Sequence, residues 1–169
     1  MNTFYLDMDG VVADWETAAA DLVGYRSEYP ERPYPPEDWE KIRSFQRIFR
    51  NMPKMPRADE LVELARKFRD ELGWNLLFLT AVPHYNDLHW AYYDKVMWAT
   101  ERYPDIPVHF GPYSQDKRNH TTAGDILVDD RFDNCNGWRE AGGIAVRVTK
   151  DYQLALDQVT ELFTEARTA

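Results

Sequence analysis

A single cysteine, Cys135, in 169 residues excludes an intramolecular disulfide and a cysteine zinc cluster. Such usage fits a reducing compartment, and the expected location is cytoplasmic. No apolar run reaches the roughly 18 residues of a membrane span, so no membrane partner is expected. The first residues lack a charged-then-apolar signal pattern and enter the apolar run Phe4–Leu6 almost at once. Basic residues are outnumbered, 20 against 29 acidic, for a net charge of −9. That balance argues against extended binding along a nucleic-acid backbone, which needs a basic stripe, and leaves room for a local cationic pocket that takes one phosphate. No Gly-x-Gly-x-x-Gly follows the first apolar run, which argues against a dinucleotide-binding module. The four histidines have no zinc spacing; His84 and His89, five apart, fall off a common helical face and read as surface or packing residues. Internal repeats and low-complexity tails are absent from the sequence.

What is present supports one moderate domain, or a core with one insertion. Hydrophobic residues make up 44% of the chain, enough for a sizeable core. Apolar runs predict strands over 3–7, 74–79, 108–110, 125–128 and 144–148. Helical spacing predicts helices over 14–26, 37–50, 58–72, 87–103 and 152–166. In the fourth of these, Leu88, Ala91, Tyr92, Val96 and Ala99 read as the inward face. Strands alternating with helices imply an α/β fold: a parallel sheet with helices on both faces. The rhythm breaks at 15–56, where four prolines in the seven residues from Pro30 to Pro36 interrupt two helical patterns. The expected organisation is a core of residues 1–14 and 57–169 with a small helical cap, 15–56, inserted after the first strand. A long irregular crossover is the other reading of that segment.

The chemistry is densest in Phe4-Tyr5-Leu6-Asp7-Met8-Asp9-Gly10. A buried strand that ends on two carboxylates is costly unless they meet a cation or strong donors. If the strand stops near Asp7, the backbone can curl at Asp9-Gly10 and bring both carboxylates to one point beyond the sheet. In open α/β sheets that crevice is where ligands bind, and Mg²⁺, which takes oxygen ligands, fits there. Later segments add a hydroxyl at Thr80, an ammonium at Lys117 and a second acidic pair, Asp129-Asp130, in that order.

This series resembles the four motifs of the haloacid dehalogenase-like (HAD) phosphohydrolases, whose fold is a Rossmann-like parallel sheet. The resemblance implies that Asp7 is the nucleophile, forming an aspartyl-phosphate, and that Asp9 is the general acid and base. It implies that the N–H groups around Met8 and Gly10, together with Thr80, the N–H of Ala81 and Lys117, hold the phosphate. Mg²⁺ would be held by Asp7, the Asp9 carbonyl and Asp130, with Asp129 as a further ligand or as a support for Lys117. Arg131 could help close the site. Within that superfamily, Asp7 to Asp14, Asn51 to Pro56 and Thr80 to Pro83 look closest to the 5'(3')-deoxyribonucleotidases, although the twelve residues from Lys117 to Asp129 exceed the usual interval. The substrate so implied is a nucleoside monophosphate. Trp15, Trp39, Phe45 and Phe49 are the candidate substrate contacts, the last three read as one side of the second helix; packing of the cap's own small core is their alternative use. Competing readings are a phosphatase for a sugar phosphate or a nucleic-acid 3'-phosphate, and a phospho-acceptor signalling domain, in which the lysine would come last. A homodimer is compatible with any of these.

Overall fold

The computed structural model describes residues 1–28, 34–45, 47–83 and 90–168. His84, His89 and the start of the helix expected from residue 87 lie outside them, as does most of the proline-rich turn.

Four short apolar runs are buried over their inner residues because they sit inside a five-stranded sheet: β1 (Thr3–Leu6), β2 (Asn75–Thr80), β4 (Ile126–Asp129) and β5 (Ile144–Arg147). With β3 (Val108–Phe110) they stand in the order β3-β2-β1-β4-β5, every pair parallel. Register places Tyr5 beside both Leu77 and Leu127. Alternation along the strands sends Phe4, Leu6 and Phe78 into one core with Phe68 of α4 (Ala58–Leu72) and Phe163 of α7 (Tyr152–Thr168). Tyr5, Leu79 and Leu127 go to the other face, under Cys135 and Trp138 of α6 (Phe132–Glu140). Helices therefore cover both faces, as expected from the sequence. Among the described residues no helix is long and apolar enough to cross a membrane.

α4 spans the predicted residues because its apolar stripe is regular and Gly73 ends it in the left-handed region, donating to the Arg69 and Phe68 carbonyls. The second predicted helix is wrong as a single element. It divides into α2 (Pro36–Ser44) and α3 (Ile48–Asn51), with Phe45 extended and Arg47 at φ 71° between them. The Arg47 guanidinium donates to buried Asp94 at 2.6 Å, which ties the break to α5 (Trp90–Arg102). The α5 stripe is also corrected. Tyr92 and Val96 are exposed, while Asp94, Lys95 and Trp98 are buried. Ala91 and Ala99 face inward as expected, and the ion pairs of Asp94 and Lys95 share that face with them. α6 was not expected from the sequence.

α1 (Trp15–Val23) begins at Asp14, whose carboxylate accepts from the Thr17 amide at 2.9 Å and hydroxyl at 2.6 Å. The chain leaves the core here and returns at Pro53–Met55, and the two passages lie side by side. Asp14 N–H donates to the Pro53 carbonyl (2.8 Å) and Met55 N–H to the Val12 carbonyl (2.9 Å). Helices α1, α2 and α3 form the intervening layer, and α3 packs on α5.

Candidate active site

β1 lies at the centre of the sheet, and its neighbours β2 and β4 are reached by crossovers to opposite sides. That arrangement opens a crevice beyond the strand ends. Asp7 follows β1, Thr80 ends β2 and Asp129 ends β4. Lys117 arrives from a 3-10 helix, Ser114–His120, rather than from a strand end.

Asp7 is buried, with 5% of its surface exposed, and so is Lys117. The Lys117 ammonium lies 2.7 Å from Asp7 Oδ1 and 2.7 Å from Asp129 Oδ2. Asp129 accepts from three groups. Its Oδ1 accepts from the Arg131 amide (2.9 Å) and from Asn134 Nδ2 (2.9 Å), and its Oδ2 accepts from Lys117 and again from Asn134 (3.0 Å). Asp129 thereby holds Lys117 against Asp7, and α6 supplies the Asn134 that holds Asp129. Burial works against the Lys117 charge, yet the Asp129 and Asp7 carboxylates keep its pKa above the usual lysine range. Burial pushes the Asp7 carboxyl up to about 7, against the pull of Lys117 and with the push of Asp129 and Asp9. The Asp130 carboxyl is also raised, by burial first and then by the charges of Asp129 and Asp7.

A second buried ammonium, missed from the sequence, belongs to Lys95 of α5. It donates to Asp9 Oδ2 at 2.5 Å and to Thr80 Oγ1 at 3.0 Å, over the ring of Phe49. The available signal was a lysine on the same helical face as Ala91, Trp98 and Ala99. Asp9 Oδ1 is buried and has no hydrogen-bond partner among the described residues. Four carboxylates, Asp7, Asp9, Asp129 and Asp130, thus face two buried ammonium groups. Among the described residues, Asp7, Asp129 and Asp130 form the one acidic group whose oxygens lie within 4.8 Å of one another. Asp129 is the most heavily engaged of the three, so Asp7 and Asp130 are the better placed to hold a cation. The surplus of negative charge is the physical reason such a site would bind one.

Gly10 closes the loop at φ 74°, and a Cβ there would fall 2.5 Å from Asp130 Oδ2. Gly10→Ala should therefore displace Asp130 and weaken any divalent-cation binding by at least about tenfold while the protein stays folded, because strain at such a position costs about 1–3 kcal/mol. Divalent-cation binding in the variant equal to that of the wild type would contradict this placement.

Over the carboxylates lies a cavity of about 340 Å³, within the range of small-molecule sites. Its floor is Asp7, Asp9, Gly10, Lys117, Asp130 and Arg131, and Ala81 to Pro83 form one side. Trp15, Trp39, Tyr34 and Phe49, from the segment that runs from α1 to α3, line the facing side, with Glu16 and Ser27. Trp15 and Trp39 stack at 5.6 Å, and Tyr34 meets both edge-on. Several expected residues stand elsewhere. Phe45 is 45% exposed and outside the cavity, because the break after α2 turns it away. The Met8 side chain is in the core, and its carbonyl accepts from the amides of Val11, Val12 and Ala13, so only its backbone can bear on the site. Thr80 is fully buried and is not among the residues that line the cavity, its hydroxyl engaged by Lys95. Arg131 lines the cavity and donates to Ser114 Oγ at 3.2 Å.

No family model matches the chain, and no curated protein sequence does. Solved structures do. A Thermotoga maritima protein described as "putative beta-phosphoglucomutase" superposes with a TM-score of 0.51 at 14% identity, over 100% of both chains. A hydrolase from Streptococcus pneumoniae TIGR4 gives 0.53 at 15% identity, over 95% of this chain and 98% of that one. At such identities the likeness shows the fold: the chain has the HAD-like α/β fold, a five-stranded parallel sheet with helices on both faces.

Proposed function

We propose that the protein is a Mg²⁺-dependent phosphomonoesterase that releases phosphate from (deoxy)nucleoside monophosphates through an aspartyl-phosphate on Asp7. The observation that carries this reading is the buried Asp7–Lys117 ion pair at the floor of an aromatic-walled cavity. Asp7 attacks phosphorus with the carboxylate oxygen that Lys117 does not hold. Lys117 and Lys95, both close to the carboxylates, neutralise charge on the equatorial phosphoryl oxygens. The departing oxygen takes a proton from Asp9, which lines the cavity together with Asp7. Asp9 then accepts a proton from water, which attacks the aspartyl-phosphate and regenerates Asp7. Asp7 and Asp130 are the side chains that would hold Mg²⁺, and when bound it would offset their charge and that of the phosphate. A chelator should abolish turnover and added Mg²⁺ restore it; full activity in excess chelator would contradict the proposal.

The nucleotide preference rests on the cap. Two stacked tryptophans beside a phosphate site offer a flat face to a base, a contact worth roughly 1–3 kcal/mol. Trp39→Ala should therefore raise KM for nucleotides by about tenfold and change the kinetics of p-nitrophenyl phosphate far less. An equal shift for both substrates would transfer the assignment to a general phosphatase. Sugar phosphates are the second reading, favoured by the description of one structural neighbour. A screen of phosphate release over nucleotides, sugar phosphates and oligonucleotide 3'-phosphates separates them, with nucleotides expected to show the highest kcat/KM.

A further inference from the structure

Glu16 is a carboxylate from the cap that lines the cavity. Its hydrogen bonds are to cap residues alone. Ser27 Oγ lies 3.0 Å from Oε1 and 3.2 Å from Oε2, and the Tyr34 hydroxyl lies 3.4 Å from Oε2. That tyrosine hydroxyl has a competing acceptor, the Tyr25 carbonyl at 3.2 Å. Ser27 brings a single proton, so most of the four lone-pair positions of Glu16 remain open. Among the described residues no cation lies within ion-pair distance of it, whereas Asp7, Asp9 and Asp129 each have one. Of the cap side chains that line the cavity, Glu16 is the charged one. An open carboxylate set among stacked rings accepts hydrogen bonds and repels anions.

We infer that Glu16 reads the base edge of the substrate, and that the preferred leaving group is a purine nucleoside presenting two adjacent N–H donors, as guanine does. This rests on the nucleotide reading above. The geometry required is the two-pronged one in which a carboxylate takes parallel N–H bonds, here from the ring N1–H and the 2-amino group. Hypoxanthine keeps the first donor and lacks the second. Adenine replaces the N1–H by an acceptor, which would face the carboxylate. The ring faces of all three are alike, so stacking on Trp15 and Trp39 does not distinguish them.

The test is kcat/KM for deoxyguanosine, deoxyinosine and deoxyadenosine monophosphates in the wild-type protein and in Glu16→Gln. The wild type should favour guanine over hypoxanthine by about tenfold or more, the worth of one hydrogen bond to a charged group, and should disfavour adenine further. Glu16→Gln places an amide there, with one acceptor and one donor, so the guanine advantage should collapse and adenine should gain relative to guanine. Each preference is a ratio within one preparation, so a general loss of active protein does not alter it. The wild-type comparison also needs no variant. Equal kcat/KM for guanine and hypoxanthine nucleotides in the wild type, or an unchanged ratio in Glu16→Gln, overturns the role of Glu16 and leaves the nucleotidase reading standing. Turnover of sugar phosphates with none of nucleotides overturns both.

Discussion

Asp7→Asn is expected to abolish turnover, by on the order of 10⁴-fold or more, in a protein at least as stable as the wild type. The amide oxygen can still accept from Lys117, whose second partner, Asp129, is untouched. What is lost is the anionic oxygen that attacks phosphorus. The stability side of the expectation follows from burial. The folded pKa of Asp7, about 7, lies above its ordinary 3.8, so the folded metal-free protein binds this proton more tightly than the unfolded chain does. Stability from this group is therefore full below the lower value and is lost as pH rises through the upper one. In chelator, the wild type should lose thermal stability between about pH 4 and pH 7, the interval between the two values, and Asp7→Asn should remove that part of the slope. Melting curves for both proteins across that range check it. A less stable variant with an unchanged slope would contradict the expectation, and so would substantial residual turnover.

Lys117→Met should remove both activity and stability. The substitution leaves Asp7 and Asp129 buried without their shared ammonium, and breaking a buried pair in this way costs about 3–5 kcal/mol. For a protein of this size that is a fall in Tm of roughly ten degrees or more. The cause can be separated from the loss of side-chain packing. Adding Asp129→Asn to Lys117→Met removes one of the stranded charges, so the double variant should recover much of the lost stability and none of the activity. If the double variant is no more stable than the single one, Lys117 stabilises the protein by packing and not by pairing. The same result would weaken the argument that Asp129 positions it.

The sheet was legible in the sequence because its strands are short apolar runs buried on two sides, and such runs stop where the carboxylates begin. Phe4 to Leu6 and Ile126 to Val128 are of this kind, and α4 was equally plain, its stripe ending at Gly73. The ordering of Asp7, Thr80, Lys117 and Asp129-Asp130 along the chain could likewise be read. Their convergence could not be derived from spacing, since it depends on the crossovers that bring β2 and β4 beside β1. Helices whose inner faces carry charge misled the reading. α5 buries Asp94 and Lys95 and exposes Tyr92 and Val96, because Arg47 and Asp9 supply partners from segments 47 and 86 residues away in sequence. α6 was missed for a related reason. Its inner face is Asn134, Cys135 and Trp138, with Asn134 serving Asp129, and it has few aliphatic residues to mark a stripe. The break between α2 and α3 left no local signal of the usual sort, neither glycine nor proline. It is held by an ion pair to a distant helix, and with it went the expectation that Phe45 shares a face with Phe49.

The covalent step on Asp7 is tested most directly with Asp9→Asn and p-nitrophenyl phosphate. Nitrophenolate leaves without needing a proton, so Asp7 should still attack in this variant. Hydrolysis of the aspartyl-phosphate needs Asp9 to accept a proton from water, so it should stall. Mixing the Mg²⁺-loaded variant with excess substrate should give a burst of nitrophenol close to one per protein molecule. Acid quenching followed by mass spectrometry should then find one phosphoryl group, on the peptide that carries Asp7. Slow release without a burst and with no phosphorylated peptide, or a phosphoryl group on any other residue, would contradict the mechanism at its centre.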